Sequence, residues 1–171
     1  MVLDCFSCLE DEELTKEERI LGAVCIFYED IECVEDLEKF DDCIEDIVKQ
    51  MFWFFNCGDD NMEKAGKSHV LVDWDKDSQL ICSAVNKVAG KEIRVEPFIH
   101  WWTFMGYYMG IGESLFSTVL SIRHKIVNGE KLEKHESKFR RENPQYFNWN
   151  SKTIDQKEAD NWLQSVWNSD K

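Results

Sequence analysis

The sequence contains one cysteine pair whose spacing suits a metal ligand set. Cys5 and Cys8 are separated by two residues, as in the paired ligands of many structural zinc sites. Such a site needs a second pair at a suitable distance, and no such pair follows in the sequence. The chain has seven cysteines, all within residues 1–82, and an odd number cannot be fully paired in disulfides. We therefore expect reduced thiols that serve mostly as small apolar core residues.

Three aspartates that precede a helical segment resemble half of a calcium-binding loop. Asp73, Asp75 and Asp77 occupy alternate positions, as the first ligands of an EF-hand loop do. That loop also needs glycine at its sixth position and glutamate at its twelfth, where this chain has Ser78 and Ala84. We expect these aspartates to cap the following helix rather than to bind calcium, and we predict no metal and no cofactor.

The sequence lacks the common catalytic motifs. It contains no phosphate-binding loop, dinucleotide-binding glycine motif, nucleophile elbow or His-Glu-x-x-His pair. Among the four histidines, His100 stands beside Trp101 and Trp102 in a strongly apolar segment. Because no candidate nucleophile or paired acid is near it in sequence, we interpret His100 as a hydrogen-bonded structural histidine. The sequence therefore favours a binding protein over an enzyme.

The charges are distributed unevenly along the chain. The formal net charge is −14, and residues 1–65 hold 20 acidic and 5 basic side chains. Residues 66–171 hold 14 acidic and 15 basic side chains, so the excess acid lies in the first part of the chain. A chain of this charge is poorly suited to grip nucleic acid through its phosphates, and its acidic part should attract a basic partner. We therefore predict protein partners and no direct binding to nucleic acid.

Helical periodicity dominates the first half of the chain, and strand-like alternation is scarce. Residues 15–18 have the form of a capping box and begin a helix with apolar residues at steps of three and four. A second helix is predicted over residues 35–55, with one apolar and one acidic face. Residues 69–72 form either a short strand or a loop that packs. A third helix follows Asp75 and ends at Gly90.

The second half of the chain predicts three further helices and a C-terminal extension. Residues 97–108 form a helix that is apolar almost all round, with proline in its first turn, so we expect it at the buried centre of the fold. Residues 113–129 hold the next helix. A charged, solvated helix over residues 131–142 ends before Pro144. A last amphipathic helix begins near Thr153.

These elements predict a mainly α (all-α) fold, with at most a short strand near residues 69–72. We expect a compact bundle of about five to seven helices. Residues 1–145 should form a single helical domain, and residues 146–171 a linker and an amphipathic helix packed on the same body. The most apolar stretch, residues 98–111, is too short to span a bilayer, and the N-terminus lacks an apolar signal segment. We therefore expect a soluble cytoplasmic protein with no membrane partner.

Four features are candidate partner-binding elements. The acidic face of the second helix is either solvated helix or a docking surface, which could mimic nucleic-acid phosphates. A basic stretch over residues 123–141 could pair with the acidic helix of another copy or contact a client. The aromatic end of the second helix either faces a client or packs against the helix after Pro97. The last helix either packs on the core or serves as a detachable arm. The candidate residues are Asp41, Asp42, Glu45, Asp46, Phe52, Trp53, Arg123, Lys134, Trp162 and Trp167.

Several motifs of the chain follow one another in a recognisable order. An aspartate-rich turn leads into a short helix at residues 75–81, and a Gly-x-x-Ile element follows at 90–93. Then come His100-Trp101-Trp102-x-Phe104, a helix ending in Ile122-Arg123, and a Lys/Glu-rich tail. Over about residues 10–145 this order resembles the tail assembly chaperone family of phages that infect Gram-positive bacteria and have long non-contractile tails.

The resemblance implies a non-enzymatic role. Chaperones of that family bind the long, aggregation-prone tape measure protein, keep it soluble and help recruit tail tube subunits around it. They act in the host cell cytoplasm and are absent from the mature virion. The alternative is a phage-encoded acidic inhibitor of a host defence nuclease, such as a CRISPR effector, that presents its acidic helix as a DNA mimic.

Overall fold

The computed structural model of this 171-residue chain describes residues 1–11, 13–31, 43–59, 68–149 and 153–154. The chain divides into two compact units, Met1–Asn61 and Met62–Lys171. The described residues contain seven α-helices, which confirms the prediction of a mainly α fold. Two strands of two residues each, Ser68–His69 and Thr153–Ile154, pair antiparallel with Ser68 opposite Ile154. The domain boundary predicted near residue 145 stays a prediction.

Three helices form the described part of the first unit: α1 (Val2–Glu10), α2 (Lys16–Phe27) and α3 (Ile44–Phe55). The capping box predicted for α2 is confirmed. Thr15 Oγ1 accepts a hydrogen bond from the Glu18 amide at 3.3 Å, and the Glu18 carboxylate accepts one from the Thr15 amide at 2.8 Å. The second predicted helix is confirmed as α3, and its expected first part, residues 35–42, lies outside the described residues.

Helix α1 was not predicted, although its apolar residues have helical spacing. Val2, Cys5, Phe6 and Leu9 share one face and pack into the core of the first unit. Gly22 of α2 allows a close approach of the two helices, because a Cβ at this position would lie 2.7 Å from the Cys8 Sγ. The close approach of α1 and α2 therefore depends on glycine at position 22.

The core of the first unit is shared by all three helices. Phe55 of α3 makes edge-on ring contacts with Phe6 of α1 at 5.1 Å and with Phe27 of α2 at 5.4 Å between centroids. The Tyr28 hydroxyl donates a hydrogen bond to the Ile47 carbonyl at 2.9 Å. The buried apolar residues of this core are Cys5, Ala23, Val24, Ile31, Val48, Met51 and Phe55.

The burial of Cys5 predicts a slow reaction with thiol reagents. Its Sγ is fully buried and donates to the Ala23 carbonyl at 3.6 Å, and this burial raises the pKa of the thiol to about 11. At pH 8 roughly one Cys5 side chain in a thousand is then a thiolate, which is the reactive form. We expect iodoacetamide at pH 8 to label the exposed Cys43 at least about 100 times faster than Cys5, measured by peptide mass spectrometry.

Guanidinium chloride provides the control for this labelling, because unfolding should make the two rates similar. As the pH rises toward 11, Cys5 in the folded protein should become more reactive. Equal labelling of the two cysteines in the native protein at pH 8 would contradict the packing of α1 on α2.

Four α-helices lie in the described part of the second unit: α4 (Ser78–Ala89), α5 (Trp101–Met109), α6 (Leu115–Val127) and α7 (Lys134–Glu142). Short 3₁₀ helices span Ile93–Val95 and Pro144–Phe147. The predicted stops at Gly90 and Gly129 are confirmed, and both residues have a positive φ, 69° and 68°. The buried apolar core comprises Leu80, Ile81, Ala84, Val85, Ile93, Phe116 and Val119.

Helix α5 differs from its prediction in two respects. It begins at Trp101 rather than near Pro97, because His100 is its N-cap and the His100 Nδ1 accepts from the Trp102 amide at 3.2 Å. His100 is therefore a structural histidine, as predicted, but it is exposed. The prediction that this helix forms the buried centre is wrong, since one of its faces is exposed. A helix that is apolar on every side gives no signal of which side will be covered.

Candidate functional site

A buried arginine holds together distant segments of the second unit. The Arg123 side chain of α6 is 1% exposed and forms a two-pronged ion pair with Asp77, at 2.5 and 2.9 Å. Its guanidinium also donates to the carbonyls of Leu71, at 2.7 Å, and Tyr146, at 2.6 and 2.9 Å. The Trp149 ring lies over it, 4.7 Å from the ring centroid to the guanidinium carbon. These contacts explain how a full charge is accommodated in the interior.

Two predictions are corrected by this arrangement. Arg123 was expected on an exposed basic surface, but its charge is inside the second unit. Asp77 was expected to cap α4 with its side chain. It stands at the N-cap position, but its carboxylate accepts from Arg123 and from the Asp73 amide, at 2.9 Å, instead of from the helix. The buried ion pair is therefore a structural element that joins α4 and α6.

An aromatic cluster fixes the inner face of α5. The Trp74 ring contacts Trp101, Phe104 and Tyr108, with centroids 6.3, 6.5 and 5.5 Å apart. Tyr108 also contacts Phe116 of α6 at 5.8 Å. Because the three α5 residues follow one another at steps of three and four, they lie on one side of the helix. The rotation of α5 about its axis is thereby set, and its other side faces outward.

The outward side of α5 and the segment before it form an exposed surface, here called the α5 apolar surface. It comprises Val95 and Phe98, each 75% exposed, Trp102, which is 36% exposed, and Met109, which is 79% exposed. A Cβ added to Gly106 on the same side would meet no atom within 4 Å. Residues 97–112 contain no charged side chain. Three of the four residues lie in this charge-free segment, and Val95 lies just before it; exposed large apolar residues of this kind are typical of protein interaction sites.

A groove of about 570 Å³ lies between α6 and α7. Its apolar floor includes Ile122 and Phe139, and Ser117 and Ser121 are among its polar lining residues. The Ser117 hydroxyl donates to the Ser114 carbonyl within the α6 cap, at 3.0 Å, and the His135 ring faces the Glu133 carboxylate at 3.4 Å. Among the described side chains of the groove, no serine–histidine hydrogen bond is therefore formed of the kind that activates a nucleophile.

Comparison with known families identifies the chain. The sequence model described as Bacteriophage Gp15 protein matches residues 1–147. The chain belongs to the bacteriophage Gp15 protein family. No curated protein and no solved structure matches it. The match covers α4, α5 and α6, which carry the α5 apolar surface and the buried ion pair, so both features lie within the family region of this Gp15-family protein.

The acidic candidates of this Gp15-family protein lie on α3 and before it. Glu45 and Asp46 are exposed in the first turn of α3, and Glu45 pairs with Lys49 at 2.5 Å between charged atoms. Acidic side chains in a first turn also stabilise the helix through its dipole. Asp41 and Asp42 lie outside the described residues. The described part of the predicted acidic face is therefore solvent-accessible.

The other predicted candidates have different environments. Phe52 is partly buried against the core of the first unit and contacts the Phe55 ring at 5.9 Å, whereas Trp53 is partly exposed. Lys134 is exposed in the first turn of α7. Trp162 and Trp167 lie outside the described residues, as does the last predicted helix.

The α5 apolar surface was not among the predicted candidates. Its signal in the sequence is the absence of a polar face in α5, which the sequence analysis takes to mean complete burial.

None of the described helices is long and apolar enough to cross a membrane.

Proposed function

We propose that this Gp15-family protein is a non-enzymatic tail assembly chaperone. It binds the tape measure protein, keeps that protein soluble and helps recruit tail tube subunits, acting in the host cytoplasm without entering the virion. The observation that carries this proposal is the α5 apolar surface. The order of motifs in the sequence resembles that of tail assembly chaperones, and this resemblance indicates the tape measure protein as the client.

The energetics of the α5 apolar surface suit a chaperone. Complete burial of a large apolar side chain is worth about 1.5–3 kcal/mol, so Phe98 and Met109 together offer substantial binding energy to an apolar client. The contact needs no matching charge, since residues 97–112 carry none. The net charge of −14 favours the solubility of a complex with an aggregation-prone client. A client held by a few apolar contacts can still be released during assembly.

Co-expression with the tape measure protein tests the proposal. We expect the tagged Gp15-family protein to keep the tape measure protein in the soluble fraction and to retain it on a column at both low and high salt. Apolar contacts survive high salt, whereas exposed ion pairs are screened. Insoluble tape measure protein, or a complex that dissociates completely as salt rises, would contradict a chaperone that binds through the α5 apolar surface.

A second candidate function rests on the acidity of the first unit. Residues 1–65 hold 20 acidic side chains, and Glu45 and Asp46 are exposed on α3. This distribution favours an inhibitor that presents carboxylates to the nucleic-acid channel of a host defence nuclease. Such an interface would depend on charge rather than on apolar contact.

Neutralising the acidic candidates separates the two functions. The variant Asp41→Asn/Asp42→Asn/Glu45→Gln/Asp46→Asn should change tape measure binding by less than about threefold if the protein is a chaperone, because the charges lie outside the apolar contact. An acidic inhibitor should instead lose at least about tenfold in affinity for its nuclease. Neutralising Glu10, Asp11, Glu13 and Glu17 provides a control with the same change of net charge. Loss of tape measure binding in the first variant alone would favour these four carboxylates as the client site.

A further inference from the structure

Helix α7 presents a row of cations on the side opposite its anchored face. Its inner side is fixed by Phe139, which contacts the Phe147 ring at 6.2 Å, and by the buried Glu136. The Glu136 carboxylate accepts from Lys125 Nζ at 2.6 Å, and this hydrogen bond holds the pKa of Glu136 below its usual range. At about 100° per residue, Lys134, Lys138 and Arg141 lie within an arc of about 60° on the opposite side. All three are exposed, and they are called the α7 basic face.

The stability of α7 accounts for Arg141, which lies in the last turn where the helix dipole favours a cation, but not for the two lysines. Lys134 is the first residue of the helix, where the helix dipole disfavours a cation. Lys134 and Lys138 are four residues apart, and Lys138 and Arg141 are three apart, so like charges face one another along the helix. Within the described part of the chain, no carboxylate lies within 4 Å of Lys134 or Arg141, and Lys138 approaches Glu142 only at 3.9 Å. The α7 basic face therefore remains open to a partner with negative charge.

The chain itself carries a surface with the complementary charge. Residues 1–65 have four times as many acidic as basic side chains. In the described part of this region, Glu45 and Asp46 of α3 and Glu29 and Asp30 after α2 are exposed. The hydrogen bond from the Tyr28 hydroxyl to the Ile47 carbonyl ties the residue before Glu29 and Asp30 to the first half of α3. These four carboxylates are called the acidic surface.

We propose that the α7 basic face of one copy binds the acidic surface of a second copy. Charge complementarity within one sequence identifies the partner: a net charge of −14 disfavours nucleic acid, whereas the acidic surface of a second copy offers the negative charge that the α7 basic face lacks. Because the two surfaces are different, two copies can either exchange both contacts in a closed dimer or make one contact each in a ring or chain. This self-association is independent of the proposed chaperone function.

The expected association is weak and strongly salt-dependent. Exposed ion pairs contribute little individually, and they are screened over about 10 Å at 0.1 M salt and about 3 Å at 1 M. For the full chain in sedimentation equilibrium, we expect the average mass to rise above that of the monomer with increasing concentration in 50 mM NaCl. In 500 mM NaCl we expect the association constant to fall at least about tenfold.

Charge reversal gives the decisive comparison. The variant Lys134→Glu/Lys138→Glu/Arg141→Glu should be monomeric in 50 mM NaCl, and so should Glu29→Lys/Asp30→Lys/Glu45→Lys. A mixture of the two variants should associate again, since each then offers the charge that the other requires. The variant Lys87→Glu/Lys91→Glu/Arg94→Glu changes the net charge by the same amount as the first variant on exposed residues outside α7, and it should associate like the unmodified chain.

Several outcomes would overturn the proposal. The first is a monomer at every salt concentration, and the second is an association constant that is as high in 500 mM as in 50 mM NaCl. The third is an equal loss of association in the control variant, which would show that net charge alone controls the association. Failure of the two charge-reversed variants to associate when mixed, with both folded by circular dichroism, would also overturn it. Binding of duplex DNA that depends on the α7 basic face would assign that face to nucleic acid instead.

Discussion

Replacing Arg123 with methionine is expected to lower the free energy of unfolding by about 3–5 kcal/mol, the usual cost of removing one partner from a buried ion pair. Methionine preserves much of the aliphatic volume but removes every donor of the guanidinium. The Asp77 carboxylate then loses two hydrogen bonds, and the Leu71 and Tyr146 carbonyls lose theirs. Guanidinium unfolding followed by tryptophan fluorescence measures the effect, since six of the seven tryptophans belong to residues 62–171.

Two further variants show whether the buried position causes this loss. Arg140→Met removes an exposed guanidinium from α7 and should change stability by less than about 0.5 kcal/mol. Asp77→Asn combined with Arg123→Met should cost less than the sum of the single changes, because the double variant leaves no uncompensated buried charge. A loss below about 1 kcal/mol for Arg123→Met would mean that water reaches the site and that the ion pair is not the main link between α4 and α6.

Replacing Phe98 and Met109 together with serine is expected to weaken binding of the tape measure protein at least about tenfold. The double change removes two of the three most exposed apolar side chains of the α5 apolar surface with α5 itself retained. If each is largely buried by the client, the lost free energy exceeds the roughly 1.4 kcal/mol that corresponds to a factor of ten. Titration of the labelled chaperone with a soluble fragment of the tape measure protein measures the dissociation constant.

The matched control for this experiment uses exposed apolar residues of the first unit. Leu3→Ser/Ile26→Ser also removes two exposed large apolar side chains, which are 46% and 39% exposed, from α1 and α2 and should leave binding within about twofold. Neither double variant should change the unfolding midpoint much, since the four residues are exposed. Equal losses in both would indicate that the client contacts apolar surface generally. Unchanged binding after loss of Phe98 and Met109 would place the client site elsewhere.

Some helix boundaries of this protein were predictable because local interactions set them. The Thr15–Glu18 capping box involves residues three apart, and Gly90 ends α4 by adopting a left-handed conformation that other residues rarely adopt. The charge difference between the two parts of the chain is likewise a property of composition. Whatever the fold, a basic partner is attracted more strongly to residues 1–65 than to the nearly neutral remainder of the chain.

The long-range pairing could not be predicted in the same way. Asp77 and Arg123 are 46 residues apart, and each had a plausible local explanation, as a helix cap and as a member of a basic stretch. Helix α1 could have been predicted from the spacing of Val2, Cys5, Phe6 and Leu9, but its short length makes the pattern weak.

The sequence by itself determined that the chain is mainly helical, where several of the described helices begin or end, and that its charge is divided between two parts. Only the tertiary structure decided which surfaces of those helices are available. Because α5 is apolar on every side, its pattern could not distinguish the face covered by Trp74 from the face that carries Met109. That choice depends on packing against residues distant in sequence, and periodicity contains no information about them.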